Sequence, residues 1–117
     1  MLAIVPLAAQ ACPLPAPALQ QGAVQASWQV EGEPIAVGRH FAIEVRVCPA
    51  DAVLTRVDAT MPEHRHGMNY RPSIEPLGPG HYRAQGLMFH MPGHWELRLD
   101  VRAAERTESL RESIRLR

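Results

Sequence analysis

Trp95-Glu96-Leu97-Arg98-Leu99-Asp100-Val101-Arg102 places every apolar side chain at an odd position and every charged one at an even position. A period of two puts successive side chains on opposite faces of an extended chain, so this stretch reads as a strand with one face in a core. The same alternation recurs upstream. Phe41, Ile43, Val45 and Val47 alternate with polar Glu44 and Arg46 between His40 and Cys48. Val24, Ala26, Trp28 and Val30 alternate with Gln25, Ser27 and Gln29. Leu54 to Met61 carries Val57, Ala59 and Met61 in register, and His81 to Met88 carries Tyr82, Ala84 and Gly86. Turn residues separate these runs at Glu31-Gly32-Glu33-Pro34 and Pro92-Gly93. The stretch from Pro62 to Pro79 holds four prolines. It reads as mostly loop, with a short strand around Ser73–Glu75.

The tail, Thr107 to Leu116, admits two readings: Leu110 and Ile114 fit a helix, whereas Ile114 and Leu116 fit a closing strand. The strand is favoured, because a lone terminal helix would leave a sheet edge open. Six or seven short antiparallel strands then predict an all-β fold, an immunoglobulin-like antiparallel β-sandwich of about seven strands. Trp28, Phe41, Ile43, Val45, Val57, Tyr82, Trp95, Leu97 and Leu99 are expected mainly inside. Gly80-His81-Tyr82 resembles the Gly-x-Tyr entry to a late sandwich strand, where the hydroxyl bonds back to a loop.

Composition narrows the function. The chain has 117 residues, length for one domain. Twelve basic residues, all Arg, balance twelve acidic ones, so the formal net charge is zero. No nucleic-acid partner is expected, since sequence-independent contact with phosphates needs a positive surplus. Two cysteines exclude a Cys-rich zinc domain and a disulfide-dense scaffold.

Met1 to Ala11 is apolar and ends in Ala9-Gln10-Ala11, an A-x-A signal for cleavage before Cys12. It lacks a basic leading region and is too short for the roughly 20 residues that span a bilayer. It reads as a truncated signal peptide, with a tail as the alternative, and no transmembrane segment is expected. Residues 1–22 then form this leader and a Pro-rich lead-in, and 23–117 the domain. Export to the periplasm would let Cys12 and Cys48 form one disulfide, the alternative being two unrelated thiols.

The chemistry concentrates in two segments. Five of the six His, and three of the five Met, lie between positions 64 and 94. Met61-Pro62-Glu63-His64-Arg65-His66-Gly67-Met68 spaces His64, His66 and Met68 at i, i+2 and i+4, which share a face if the chain is extended. Met88-Phe89-His90-Met91-Pro92-Gly93-His94 sits at a strand end and turn. Both segments fall at strand ends, so one pole of a sandwich could unite them. Imidazole plus thioether without thiolate suits copper, in either the Cu(I) or the Cu(II) state. His64, His66, Met68, His90 and Met91 are the expected metal ligands, with His94 as an outer candidate. The competing reading is a solvated His-rich loop over core methionines.

The two segments, Met61-Pro-Glu-His-Arg-His-Gly-Met68 and Gly80-His-Tyr-Arg-Ala-Gln-Gly-Leu-Met-Phe-His-Met-Pro-Gly-His-Trp-Glu-Leu97, resemble the YtkA-like family, allied to FixH-type proteins. The resemblance spans roughly Trp28 to Val101. It implies a small exported or membrane-tethered β-sandwich associated with copper handling or respiratory-oxidase assembly. On the matching positions it points to His64, His66, Met68, His90 and Met91. FixH-type members carry a transmembrane helix that is not seen here.

Two functions follow as expectations. One is a monomeric periplasmic copper carrier or buffer that meets a copper-receiving or membrane partner protein. The other is a non-metal accessory module of an envelope or oxidase-assembly system, with pole histidines that bind a partner. No enzyme is expected, because neither a nucleophile with an activating base nor an open metal site with a pocket is recognisable.

Overall fold

A computed structural model describes residues 12–117. The truncated signal peptide read at Met1–Ala11, and its cleavage, lie outside the described residues. Among those residues the chain is all β, with nine strands: β1 (Leu19–Gln21), β2 (Val24–Val30), β3 (His40–Cys48), β4 (Val53–Met61), β5 (His66–Gly67), β6 (Ser73–Gly78), β7 (His81–Met88), β8 (Gly93–Ala103) and β9 (Arg106–Leu116). Two antiparallel sheets form a sandwich, in the orders β1-β2-β3-β7-β6 and β5-β4-β8-β9. No helix is long and apolar enough to cross a membrane among these residues.

The alternating runs become the long strands. The odd residues Trp95, Leu97, Leu99 and Val101 are buried, while Glu96 and Arg98 turn outward. They meet Ile43, Val45, Val57, Ala59, Leu87 and Phe89 in one core. Each fully buried Leu or Ile contributes about 1.5–3 kcal/mol relative to exposure, so these two-residue repeats drive the sandwich. Phe41 is also buried, whereas Trp28 and Tyr82 are half-buried at its margin. The Tyr82 hydroxyl donates to the Ala52 carbonyl (3.2 Å), the bond back to a loop that its entry motif suggested.

The tail is a strand. β9 pairs with β8 without a break from Ala103↔Arg106 to Gly93↔Leu116. Asp100 is buried between the two, held by Arg98 (2.8 and 3.1 Å) and by the Ser109 hydroxyl (2.7 Å). The two strands beyond the expected seven are β1 and β5, of three and two residues. Segments that short show no periodicity, so pairing alone reveals them. β1 falls inside the Pro-rich lead-in. It pairs Leu19↔Ala26 with β2, and Leu14 is buried with its N–H donated to Gln25 Oε1 (3.0 Å). Cys12 is joined to Cys48 at the end of β3, across 36 residues of sequence.

The register defines a pole. β3 starts beside the end of β7 (His40↔Met88), and β8 starts beside the end of β9 (Gly93↔Leu116). β4 ends there too, since Thr60 pairs with Glu96 near the start of β8. The disulfide lies at the opposite pole. One side of the sandwich is closed where β1 packs against β9. On the other side β4 and β6 are the edge strands that face one another; among the described residues β4 is paired there only by the two residues of β5, and the Met68–Pro72 segment runs beside it.

Candidate functional site

β4 and β5 form a hairpin whose loop is Pro62-Glu63-His64-Arg65. Pro62 cannot donate to a ladder, so the strand stops at Met61. The Met61 carbonyl accepts the His64 N–H (3.1 Å), Arg65 takes a left-handed φ of 54°, and Met61 pairs with His66. The extended run expected from His64 to Met68 is therefore confined to His66–Gly67, because the loop consumes His64. The turn still brings the two imidazoles together. Both are exposed, with ring centroids 6.3 Å apart and planes 25° from parallel. Met68 goes elsewhere. Its N–H donates to the Ala59 carbonyl (3.3 Å), and its half-buried side chain packs on the core and lines the cleft beside β4.

The second segment is built on Trp95. Its ring is fully buried and stacks on Phe89 (4.5 Å, 6°), which meets Phe41 edge-on (5.0 Å). The Trp95 indole N–H donates to the Met91 carbonyl (3.0 Å), holding the turn against the core. The His90 ring stands edge-on to Trp95 (5.4 Å, 81°). Its Nδ1 is buried without a hydrogen-bond partner. A buried nitrogen left so costs about 1–3 kcal/mol, which makes it the one orphaned side-chain polar atom in the described core and a candidate donor for a bound ion. Met91 is half-buried and packs on the core.

Two contacts tie the segments to one another. Gly93 has φ 130°, and a Cβ there would lie 2.8 Å from the Met61 terminal methyl. Glycine thus permits both the turn and the close approach. Glu63, in the hairpin loop, meets His94 Nδ1 at 2.9 and 3.2 Å, and His94 Nε2 meets the Ser113 hydroxyl at 3.0 Å. The hydrogen bond from His94 holds the Glu63 carboxyl below its ordinary range, with a smaller contribution from Arg115. His94 is thus engaged in bracing the hairpin that bears His64 in its loop and His66 in β5. His40, the sixth histidine, meets Tyr70 edge-on at 4.8 Å.

Among the described residues, no group of three or more His, Cys, Asp or Glu side chains is arranged to hold a metal ion.

A family model described as YtkA-like matches residues 21–100. The chain belongs to the YtkA-like family. The matched span runs from the end of β1 into β8 and contains both His- and Met-bearing segments. Searches of curated proteins and of solved structures find no match. In this YtkA-like sandwich, sequence reading passed over Glu63 and Ser113 as partners of His94. Glu63 stands inside the first segment, next to His64, and that adjacency was the available signal. Ser113 comes from β9, diagonal to His94 across the β8–β9 ladder, a neighbour that only strand pairing supplies.

Proposed function

We propose that this YtkA-like domain is an exported copper-binding protein, a carrier or buffer, with its site on the pole that carries both segments. The observation that carries the reading is the His64–His66 pair, presented in solvent on a braced hairpin. The orphaned His90 Nδ1 on the same pole adds to it. Imidazole nitrogens bind metal at about 2.0–2.1 Å, so rings whose centroids lie 6.3 Å apart need only small side-chain rotations to share an ion. Met68, His90 and Met91 complete the proposed set. Met68 and Met91 contribute by turning their thioethers out from the core edge, which the unbranched side chain allows. Thioether with imidazole is a donor set suited to copper.

Exposure of His64 and His66 suits transfer. A partner's ligand can reach the ion from solvent and displace one imidazole at a time. The Cys12–Cys48 bridge supports an oxidising compartment such as the periplasm. Glu63, His94 and Ser113 follow the order of a hydrolase triad. Ser113 is exposed on the outer face of a sheet, however, and a hydrolytic site also needs oxyanion donors and a walled substrate pocket. We therefore read the His94 network as bracing and the protein as non-catalytic.

The test is a titration of purified protein with Cu(I) under reducing conditions and Cu(II) in parallel, by competition with a chromogenic chelator. His66→Ala should weaken binding by about ten-fold or more, and by more than His94→Ala, given that changes even outside the ligand set cost about 10–100-fold. Met68→Leu keeps the shape, removes the sulfur, and should weaken Cu(I) more than Cu(II). Parent-like Cu(I) affinity in both His66→Ala and Met68→Leu would overturn the site.

A further inference from the structure

A cleft runs along the open side of the sandwich and shares Met68, on its wall, with the proposed copper set. Its volume is about 610 Å³, and β4 from Thr55 to Asp58 forms one wall. Met68 to Pro72 and Ile74 form the other. We propose that this cleft takes an extended, acidic segment of a partner protein as an added strand beside β4.

The backbone carries the first part of the argument. β5 pairs only with Thr60 and Met61, so among the described residues β4 from Val53 to Asp58 is hydrogen-bonded to β8 on one side and to no strand on the other. The Ala59 and Met61 carbonyls both point to the unpaired side, since they accept Met68 N–H and His64 N–H there. In an antiparallel strand the N–H and C=O of one residue point the same way and alternate with period two. Val57 therefore presents both groups to the cleft it lines. The Ala59 N–H on that edge is already occupied by Asp58 Oδ1 (2.8 Å), which leaves Val57 as the open rung. An incoming strand satisfies such a rung with main-chain bonds, whatever its sequence.

Side chains carry the second part. Arg56 and Asp58 neutralise one another at 2.7 Å. Arg71, exposed on the opposite wall, forms no ion pair among the described residues, so the cleft keeps one uncompensated cation. Tyr70, 48% exposed, and half-buried Met68 and Ile74 supply apolar contacts beside it. The fit is to a strand that alternates apolar and acidic residues.

The test uses a capped peptide of alternating valine and glutamate, and its lysine counterpart, titrated into the full chain and followed by amide NMR and hydrogen exchange. The glutamate peptide should shift the Val57 and Tyr70 amides and slow exchange at Val57. The lysine peptide should bind about five- to ten-fold more weakly, and Arg71→Glu should reverse that preference. Arg71 lies on an exposed loop, and an unchanged melting curve for Arg71→Glu confirms that its fold is intact. Equal binding of the two peptides, binding that leaves Val57 unmoved, or no binding at millimolar peptide would each overturn the proposal. So would Val57 protection that rises with protein concentration alone, which assigns the edge to a second copy.

Discussion

Replacing Cys12 by Ala removes the bridge to Cys48 and little else, since Cys12 is exposed at the edge of the domain. The native contacts that hold the lead-in remain: buried Leu14, its bond to Gln25, and the β1–β2 pairing. The loss falls on the unfolded chain, which regains the freedom of a loop across 36 residues of sequence. The chain-entropy relation puts that freedom at about 13 cal/mol/K, or about 3.8 kcal/mol at 25 °C. Domains of this kind are stable by about 5–15 kcal/mol, so Cys12→Ala should fold but stand much closer to its limit. With about 2.1 cal/mol/K of unfolding entropy per residue, Tm should fall by about 15 °C. The assay is urea denaturation and thermal melting of parent and variant, with the parent also run under reductant. Reduced parent and Cys12→Ala should agree with one another in stability and in m-value, both with m at or above that of the bridged parent, because the freed unfolded chain exposes more surface. A loss below about 1 kcal/mol, with m unchanged, would refute the reasoning, because the cross-link would then restrict little of the unfolded ensemble.

Leu99→Ala opens a void at the centre of β8, where Leu99 is fully buried, and should cost about 2–5 kcal/mol in urea denaturation. Asp100 sets an acid limb. Burial alone would raise its carboxyl, but the bonds from Arg98 and Ser109 outweigh it and hold the group below the ordinary carboxylate value. A depressed folded value gives stability that is complete above the unfolded pKa, about 3.9, and is lost as pH falls through the folded one. Asp100→Asn should therefore lose about 1.5–3 kcal/mol at neutral pH and show a shallower fall in stability below about pH 4, read from melts across pH 2–7.

How much of this was legible beforehand differs between the scaffold and its pole. Alternation sufficed for the long strands, because facing a core is a property of each residue's own position in a period of two. It failed for β1 and β5, which are too short to carry a period. At the pole that carries both His- and Met-bearing segments, residue types and the clustering of two segments at strand ends could be read directly. The shared face of His64, His66 and Met68 could not be, because that inference assumed an extended chain. The Pro62–Arg65 loop bends it, and Met68 turns toward the cleft.

Local pattern by itself determined the all-β class, the buried odd residues of β8, and the identity of the soft and imidazole donors. Those depend on period and chemistry within a few neighbouring residues. Tertiary structure alone decided that Cys12 reaches Cys48, that Glu63 meets His94 and His94 meets Ser113, that the His90 nitrogen is stranded against Trp95, and that β4 keeps an edge unpaired among the described residues. The Cys12–Cys48, Glu63–His94 and His94–Ser113 contacts join segments far apart in the chain, and the other two features depend on how the sheets close around them. Strand order and register set such contacts, and they arise when the two sheets close on a common core rather than from any one segment.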